Sequence, residues 1–386
     1  MAARTPKSRF ATDAVHAGDV PDARTGAVNV PVHLSSTFWY PELSGGGPSS
    51  YIYSRYSNPS VEAVETKLAA LEGAAGSLLM ASGMAATMTA CMAILGAGAR
   101  VVVQPGVYGG TSLFFREELA RFGVKATFAT HPVTAPKVPK GTKLVWMEAV
   151  TNPILRVADV AAWADAAHDA GALLAVDGTF AGPMVQRSLA LGADVSMQSA
   201  TKYLGGHADL IAGALSWRKG FPHKDALWRV RRNWGPSLDP HAAFLLGRGM
   251  KTLHVRMPRH CENALALAKA AEGMPGIEAV HYPGLSSHPD HKVAKRVLSG
   301  GFGGAVTIDL GTKARAVAFR RKVRVIAAAA SLGGVESLVS LPIETSHSYS
   351  TAAQRKAEGV GDGLARISVG IEDVADLVAD VEQASR

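Results

Sequence analysis

Leu173-Leu-Ala-Val-Asp177, and after it Val195-Ser-Met-Gln-Ser199, are short apolar runs, the second leading into Ala-Thr-Lys202-Tyr-Leu-Gly-Gly-His207, and both open on residues able to carry chemistry. Short apolar runs bounded by turn residues read as strands buried on both faces. Arg100 to Gln104 and Lys143 to Glu148 repeat the pattern upstream. Between them lie helical stretches. Ser60 to Glu72 carries Val61, Val64, Leu68 and Leu71 at helical spacing, opened by Asn58-Pro59; Gly83 to Leu95 is apolar nearly all round and is expected buried. Thr111 to Phe122 and Asp159 to Ala170 fill the remaining gaps. This alternation, from about residue 60 to 215, predicts an α/β fold with a mostly parallel sheet covered by helices on both faces. After Gly220 the rhythm changes. A helical stretch from His241 to about Ala271, then strand-like pieces at Ala305 to Leu310, Val339 to Leu341 and Ala365 to Val369, predict a smaller α+β domain.

The bulk properties bound the function. A chain of 386 residues exceeds one core of usual size, and 47% apolar with 19% charged residues is the balance of a packed globule. No apolar run approaches the roughly 20 residues that span a bilayer, so no membrane association is expected. The start, MAARTPKSRF, reads as a loose cytosolic arm, and the Gly-rich tract Ser44 to Pro48 as a mobile segment. Cys91 and Cys261, the only cysteines, fall among apolar neighbours and read as buried free thiols, suited to the cytoplasm. The net charge of +8 raises the question of nucleic acid. Its basic clusters, Trp228 to Arg232 and Arg320 to Lys322, have no interleaved aromatics at stacking spacing and no recognisable binding module, so no nucleic-acid partner is expected; the charge reads as a solvated face or a field for anionic metabolites.

The strand ends carry the chemistry. Lys202 follows an apolar strand, sits among Ser199 and Thr201 and precedes a glycine pair, a setting in which a lysine can form an imine while hydroxyls hold a phosphate. Asp177 closes a buried strand, where an unpaired carboxylate costs several kcal/mol; a protonated pyridine nitrogen would pair it, or it simply caps a helix. Ser82-Gly83-Met84 enters an apolar helix, where free N–H groups suit a phosphate, although Ser-Gly is also an ordinary turn. Tyr108 can stack on a planar cofactor or serve as an interface or core tyrosine.

Read in order, Tyr51-Ile-Tyr53-Ser-Arg55, Asn58-Pro59, Ser82-Gly-Met84, Tyr108-Gly-Gly110, Thr151-Asn152-Pro153, Ala175-Val-Asp177, Ser199-Ala-Thr-Lys202, Gly249-Met-Lys-Thr-Leu253, Tyr282-Pro-Gly284, Ser331-Leu-Gly-Gly334 and Arg366-Ile-Ser-Val-Gly370 resemble the motifs of the cystathionine gamma-synthase-like family, over nearly the whole chain. The resemblance implies a pyridoxal 5'-phosphate (PLP) enzyme of fold type I. It implies an N-terminal arm, 1–58, that contributes to a neighbouring subunit, a PLP-binding domain, 59–240, and a C-terminal domain, 241–386, assembled as a homotetramer built as a dimer of dimers. It makes Lys202 the Schiff-base lysine, Asp177 the partner of the ring nitrogen and Tyr108 the stacked tyrosine and candidate acid. Gly83, Met84, Ser199 and Thr201 match phosphate contacts, and Tyr53 and Arg55 match contacts reaching across from the neighbouring subunit. Asn152 matches a residue near the ring hydroxyl, Ser331 one that orients Lys202, and Arg366 the arginine that grips the substrate carboxylate.

Implied is elimination or replacement at the γ carbon of a homoserine-derived or sulfur amino acid, with β-elimination or amino transfer on the same fold as alternatives. Intact Lys202, Asp177 and Arg366 argue against a protein that binds cofactor without turnover. The departures bear on substrate. Gly178 stands where many members have Asn, Pro105-Gly106-Val107 replaces acidic residues, and Leu341 to His347 differs from the commoner form. Gly110 lies at the cysteine-like position of methionine gamma-lyases, and Ala330 where several cystathionine-handling enzymes carry glutamate. A pocket around Tyr56, Gly110, Ala330 and His347 is therefore expected to offer room but no fixed acid for a second ammonium group. His347 is read as a pocket residue or a structural histidine. His281, His288 and His291 have ligand-like spacing, but Ser287 to His291 reads as a helix opening and no metal is expected.

Overall fold

The computed structural model describes residues 8–40, 51–348 and 351–386. Most of the basic start and the tract Ser44 to Pro48 lie outside the described residues. The large sheet comprises β1 (Gly76–Met80), β2 (Arg100–Val103), β3 (Lys125–Phe128), β4 (Thr142–Glu148), β5 (Leu173–Asp177), β6 (Val195–Gln198) and β7 (Gly213–Trp217), in the spatial order β1-β7-β6-β5-β4-β2-β3. β7 runs against both its neighbours and every other pair whose strands adjoin without it is parallel.

The side-chain period of a strand explains the two helical layers. Along β4, Leu144 and Trp146 pack into one apolar cluster while Val145 and Met147 pack into another on the opposite face. All of these are fully buried, and each contributes on the order of 1.5–3 kcal/mol relative to exposure. The expected strands fall within a residue or so of their observed bounds. β1, β3 and β7 were not anticipated, because Gly76-Ser77, Gly213-Ala214 and the half-exposed Lys125-Ala-Thr-Phe128 lack the branched apolar residues that mark a strand.

The anticipated helices are present with their capping residues. Asn58 accepts from Ser60 N at the start of Pro59–Glu72, Ser82 from Ala85 N before Gly83–Ile94, and Asp159 from Ala161 N before Val160–Asp169. The stretch expected as one helix from Thr111 to Phe122 changes winding instead: α-helix at Gly109–Leu113, π-helix at Phe114–Glu118, then 3-10 helix at Leu119–Phe122. Likewise the stretch from His241 to Ala271 is divided into Pro240–Met250 and Leu253–Ala271. Side chains capture the carbonyls at that break: Thr252 Oγ1 donates to Gly249 O at 3.1 Å and Arg256 Nη2 to the same oxygen at 2.8 Å. Arg256 Nη1 also reaches Tyr203 O at 2.9 Å, which ties the break to the residue after Lys202.

The second sheet comprises β8 (Ala279–His281), β9 (Ala305–Asp309), β10 (Ala327–Ala328), β11 (Leu338–Ser340) and β12 (Leu364–Ser368), in the order β10-β11-β12-β9-β8. Val306, Ile308, Val339 and Ile367 form its core with Leu267, Phe319, Leu377 and Val381 from the covering helices. β12 sits at its centre, with Arg366 opposite Ser340 of β11 and Thr307 of β9. Cys91 and Cys261 are buried free thiols. Among the described residues no helix is long and apolar enough to cross a membrane.

Candidate active site

The C-terminal ends of β4, β5 and β6 open on a cavity of about 680 Å³, a usual size for a small-molecule site. Glu148, Asp177 and Ser199 line it from the large sheet, and Ser331 and Arg366 line it from the C-terminal part of the chain. The site therefore lies between the two sheets.

At its centre Lys202 Nζ donates to Ser331 Oγ at 2.8 Å. Burial, and secondarily the nearby Arg366 cation, pull the Lys202 pKa below its ordinary value. Ser331 is held with φ 123°, a conformation costing on the order of 1–3 kcal/mol for a residue with a Cβ. Its surroundings impose that geometry. Arg366 Nη2 bonds Ser331 O at 3.0 Å, and Gly333 lies so close to the backbone that an added Cβ would stand 2.6 Å from Tyr203 N. Arg366 Nη1 bonds Asn152 Oδ1 at 2.8 Å, so Lys202, Ser331, Arg366 and Asn152 form one connected chain. Burial lowers the Arg366 pKa to about 10, which leaves it cationic at neutral pH. Its Nε is buried with no partner among the described residues.

Opposite that cation stand two carboxylates. Glu148 and Asp177 are register partners at the ends of β4 and β5, 3% and 8% exposed. No cationic side chain among the described residues comes within ion-pair distance of either. Burial raises both pKa values, that of Glu148 further because Asp177 lies beside it, while Thr179 pulls Asp177 the other way by hydrogen bonding. Thr179 N donates to Asp177 Oδ1 at 2.9 Å, and Glu148 Oε1 accepts from Tyr108 N at 2.6 Å. A buried carboxyl pair of this kind, with no cation of its own, is suited to pairing with a cationic ring nitrogen.

The other end of the cavity suits a phosphate. The helix Gly83–Ile94 begins there, and its Gly83 approaches Ser199 so closely that a Cβ would stand 2.9 Å from Ser199 Cβ. Gly213 is under the same pressure, since a Cβ would stand 2.0 Å from Ser82 O. Gly83, Met84, Ser199 and Thr201 all line the cavity. The Thr201 hydroxyl is already engaged, donating to Ala212 O at 3.1 Å and accepting from Ala212 N at 2.9 Å. It reaches a phosphate only by turning from that carbonyl.

Other candidates fall elsewhere. Tyr108 lines the cavity and is half-exposed. Tyr53 and Arg55 do not line it; Arg55 lies 5.4 Å from the Tyr53 ring and 5.1 Å from the Tyr56 ring, and donates to Arg232 O. Of the residues expected around the substrate side chain, only Ala330 lines the cavity. His347 is buried, bonded through Nδ1 to Ser346 Oγ at 2.9 Å and 3.6 Å from Glu358 through Nε2, and burial with the Arg366 and Arg355 cations lowers its pKa to about 4. The expectation that the pocket wall holds no further acid is corrected: Glu344 lines it. Glu148 was also missed, although it closes a predicted buried strand just as Asp177 does. No group of three or more metal-binding side chains occurs among the described residues.

An α/β sheet with an imine-competent lysine, a ring-nitrogen site and a phosphate site at its strand ends defines a PLP-dependent enzyme of fold type I. Residues 11–386 match the family described as Cys/Met metabolism PLP-dependent enzyme, and the chain belongs to that family. It is 42% identical over 383 residues to a cystathionine gamma-lyase of Dictyostelium discoideum, covering 97% of each chain. It is also 42% identical over 378 residues to a cystathionine gamma-synthase of Mycobacterium bovis, covering 97% of this chain and 96% of that one. Its structure resembles that of a methionine gamma lyase from Micromonospora echinospora with a TM-score of 0.89 at 38% identity, covering 98% of this chain and 99% of that one.

Proposed function

We propose that this enzyme eliminates or replaces a group at the γ carbon of a homoserine-derived or sulfur amino acid. The observation that carries the reading is the connected chain of Lys202, Ser331, Arg366 and Asn152, facing the Glu148–Asp177 pair across one cavity. When bound, PLP supplies an aldehyde for an amino group and a ring that absorbs negative charge developing at the α carbon. Lys202 holds it, Asp177 pairs with its ring nitrogen, and Tyr108 stacks on the ring. The helix N-terminus at Gly83 and Met84, with Ser199 and Thr201, holds its phosphate. Arg366 grips the substrate carboxylate, with Asn152 and Ser331 fixing the guanidinium.

Proton transfer follows from the same placement. Once the substrate's amino group has displaced it from the cofactor, Lys202 Nζ, inclined toward its neutral form by burial and by Arg366, would be free to accept the α proton. Departure of a γ substituent needs a second proton removed from the β carbon, which Lys202 relays, while Tyr108 protonates the leaving thiol or acylate. Tyr53, exposed, and Arg55, half-buried, both outside their own chain's cavity, serve the phosphate of a neighbouring subunit. This reading includes a cytoplasmic homotetramer built as a dimer of dimers, with an arm at 1–58, a cofactor domain at 59–240 and a C-terminal domain at 241–386.

Borohydride reduction of the yellow holoprotein, followed by peptide mapping, should place the pyridoxyl group on Lys202. Labelling of another lysine, or of none, would refute the central assignment. Product analysis on cystathionine, methionine, cysteine and O-acylhomoserines should then show γ chemistry; β products alone would overturn the choice of carbon.

A further inference from the structure

Among the described residues, six side chains with ionisable groups line the cavity: Tyr108, Glu148, Asp177, Lys202, Arg366 and Glu344. All but Glu344 have a part in holding the cofactor or the α-amino acid end of the substrate. Glu344 ends the short turn Pro342–Glu344 that follows β11, whose Ser340 is the register partner of Arg366. The turn thus starts two residues after the strand position that pairs with Arg366. Two residues on, Ser346 packs against the Tyr108 loop so tightly that a Cβ on Gly109 would stand 2.0 Å from Ser346 O. Thr345, Ser346 and Ser348 continue the lining. Glu344 therefore lies on the stretch of wall that this segment forms between β11 and the Tyr108 loop.

The carboxylate is held in place. Arg320 Nη1 donates to Glu344 Oε2 at 2.5 Å, and no described residue bonds Oε1. The Glu344 side chain is 34% exposed, so one oxygen is fixed by a cation while the other can accept from a ligand.

We propose that Glu344 binds the distal ammonium group of a substrate carrying a second amino-acid head, making this chain selective for a cystathionine-type thioether over substrates with a neutral or anionic end. The inference rests on the γ-carbon reading above and deepens it. Ala330 cannot make that contact, and Glu344 supplies the charge from a different place on the wall. A charge pair discriminates where shape alone achieves little.

The test compares the wild type with Glu344→Gln on three substrates that share the α-amino acid end. L-Cystathionine has a distal ammonium, O-acetylhomoserine a neutral end and O-succinylhomoserine a distal carboxylate. Loss of one partly exposed charge-assisted hydrogen bond should raise KM for cystathionine about tenfold. The kcat for cystathionine and the cofactor absorbance should hold, KM for O-acetylhomoserine should stay unchanged, and KM for O-succinylhomoserine should fall. Glu344→Lys should move the extremes further apart in the same directions. Parallel changes on all three substrates, or an unchanged KM for cystathionine, would overturn the role of Glu344 and leave the γ-carbon reading standing. A wild type inactive on every one of them would instead sink that reading, and this inference with it.

Discussion

Replacing Arg366 by Met should have two separable effects, one on the substrate and one on Lys202. Arg366 is 7% exposed, its guanidinium bonded to Asn152 Oδ1 and Ser331 O at 2.8 and 3.0 Å, with its Nε unpartnered among the described residues. A carboxylate meeting it as a two-pronged acceptor gains two charge-assisted bonds of roughly 1.5–3 kcal/mol each, or about 3–6 kcal/mol together. At 1.4 kcal/mol per tenfold, KM for any amino acid substrate should rise on the order of 10²–10⁴-fold. The second effect is electrostatic. Burial comes first and Arg366 second among the causes that depress the Lys202 pKa, so removing the cation lets that pKa rise. Imine formation needs the neutral amine, so PLP capture by the apoprotein, followed by absorbance against pH, should shift its midpoint upward in Arg366→Met. Arg366→Lys keeps a charge but not the planar fork, and should raise KM while leaving the midpoint near that of the wild type. A melting temperature taken alongside each variant separates these effects from unfolding. A KM within about threefold of wild type would refute the carboxylate role by the same arithmetic, and a midpoint that stayed put in Arg366→Met would refute the electrostatic one.

Arg55→Ala should weaken PLP retention about tenfold or more, because a phosphate loses a charge-assisted partner. Mixed oligomers of Arg55→Ala with Lys202→Ala should regain part of the activity that each lacks alone; none recovered after confirmed subunit exchange would argue against a shared site. Glu72, 1% exposed and bonded to Ser196 Oγ at 3.2 Å and Gln198 Nε2 at 3.0 Å, has its pKa raised by burial to about 7. Since the folded state holds this proton more tightly than the unfolded chain, the stabilisation is complete below about pH 4.5 and is lost as pH rises through 7. At 1.36 kcal/mol per unit the loss is at most ~3 kcal/mol, so denaturant melts from pH 5 to 8 should slope less for Glu72→Gln than for wild type. Equal slopes would place the carboxyl's pKa near its ordinary value in the fold.

The cofactor half of the site was legible because its residues sit where strand and helix signals coincide. A buried strand can end in Asp177, or lead within a few residues to Lys202, only where something compensates the charge, and an apolar helix can open on Ser82-Gly83 only where a close approach calls for glycine. Glu148 obeyed the same rule, closing Lys143 to Glu148 as Asp177 closes its own strand, and was passed over only because no motif drew attention to it. The strands β1 and β7 were illegible for a different reason. Their Gly, Ser and Ala carry little strand preference, and it is pairing with each other, Leu78 against Leu215 and Leu79 against Ala214, that makes them strands.

The substrate wall was hardest to read, since its residues meet only through tertiary contacts. Gly110 was expected in the pocket because it lies at the cysteine-like position of methionine gamma-lyases, yet a Cβ there would stand 2.7 Å from the Tyr108 ring, so its place is against the tyrosine. His347, read as a pocket residue or a structural histidine, is buried against Ser346 and Glu358 and does not line the cavity. What the cavity receives instead is Glu344, because the turn after β11 carries it past Arg366 toward the Tyr108 loop, and Arg320 holds one of its oxygens. No periodicity in Leu341-Pro-Ile-Glu344 marks that outcome. Specificity here is thus encoded in how the C-terminal sheet meets the cofactor sheet, so two chains with the same motif residues around Lys202 can differ in substrate through one acid in a turn.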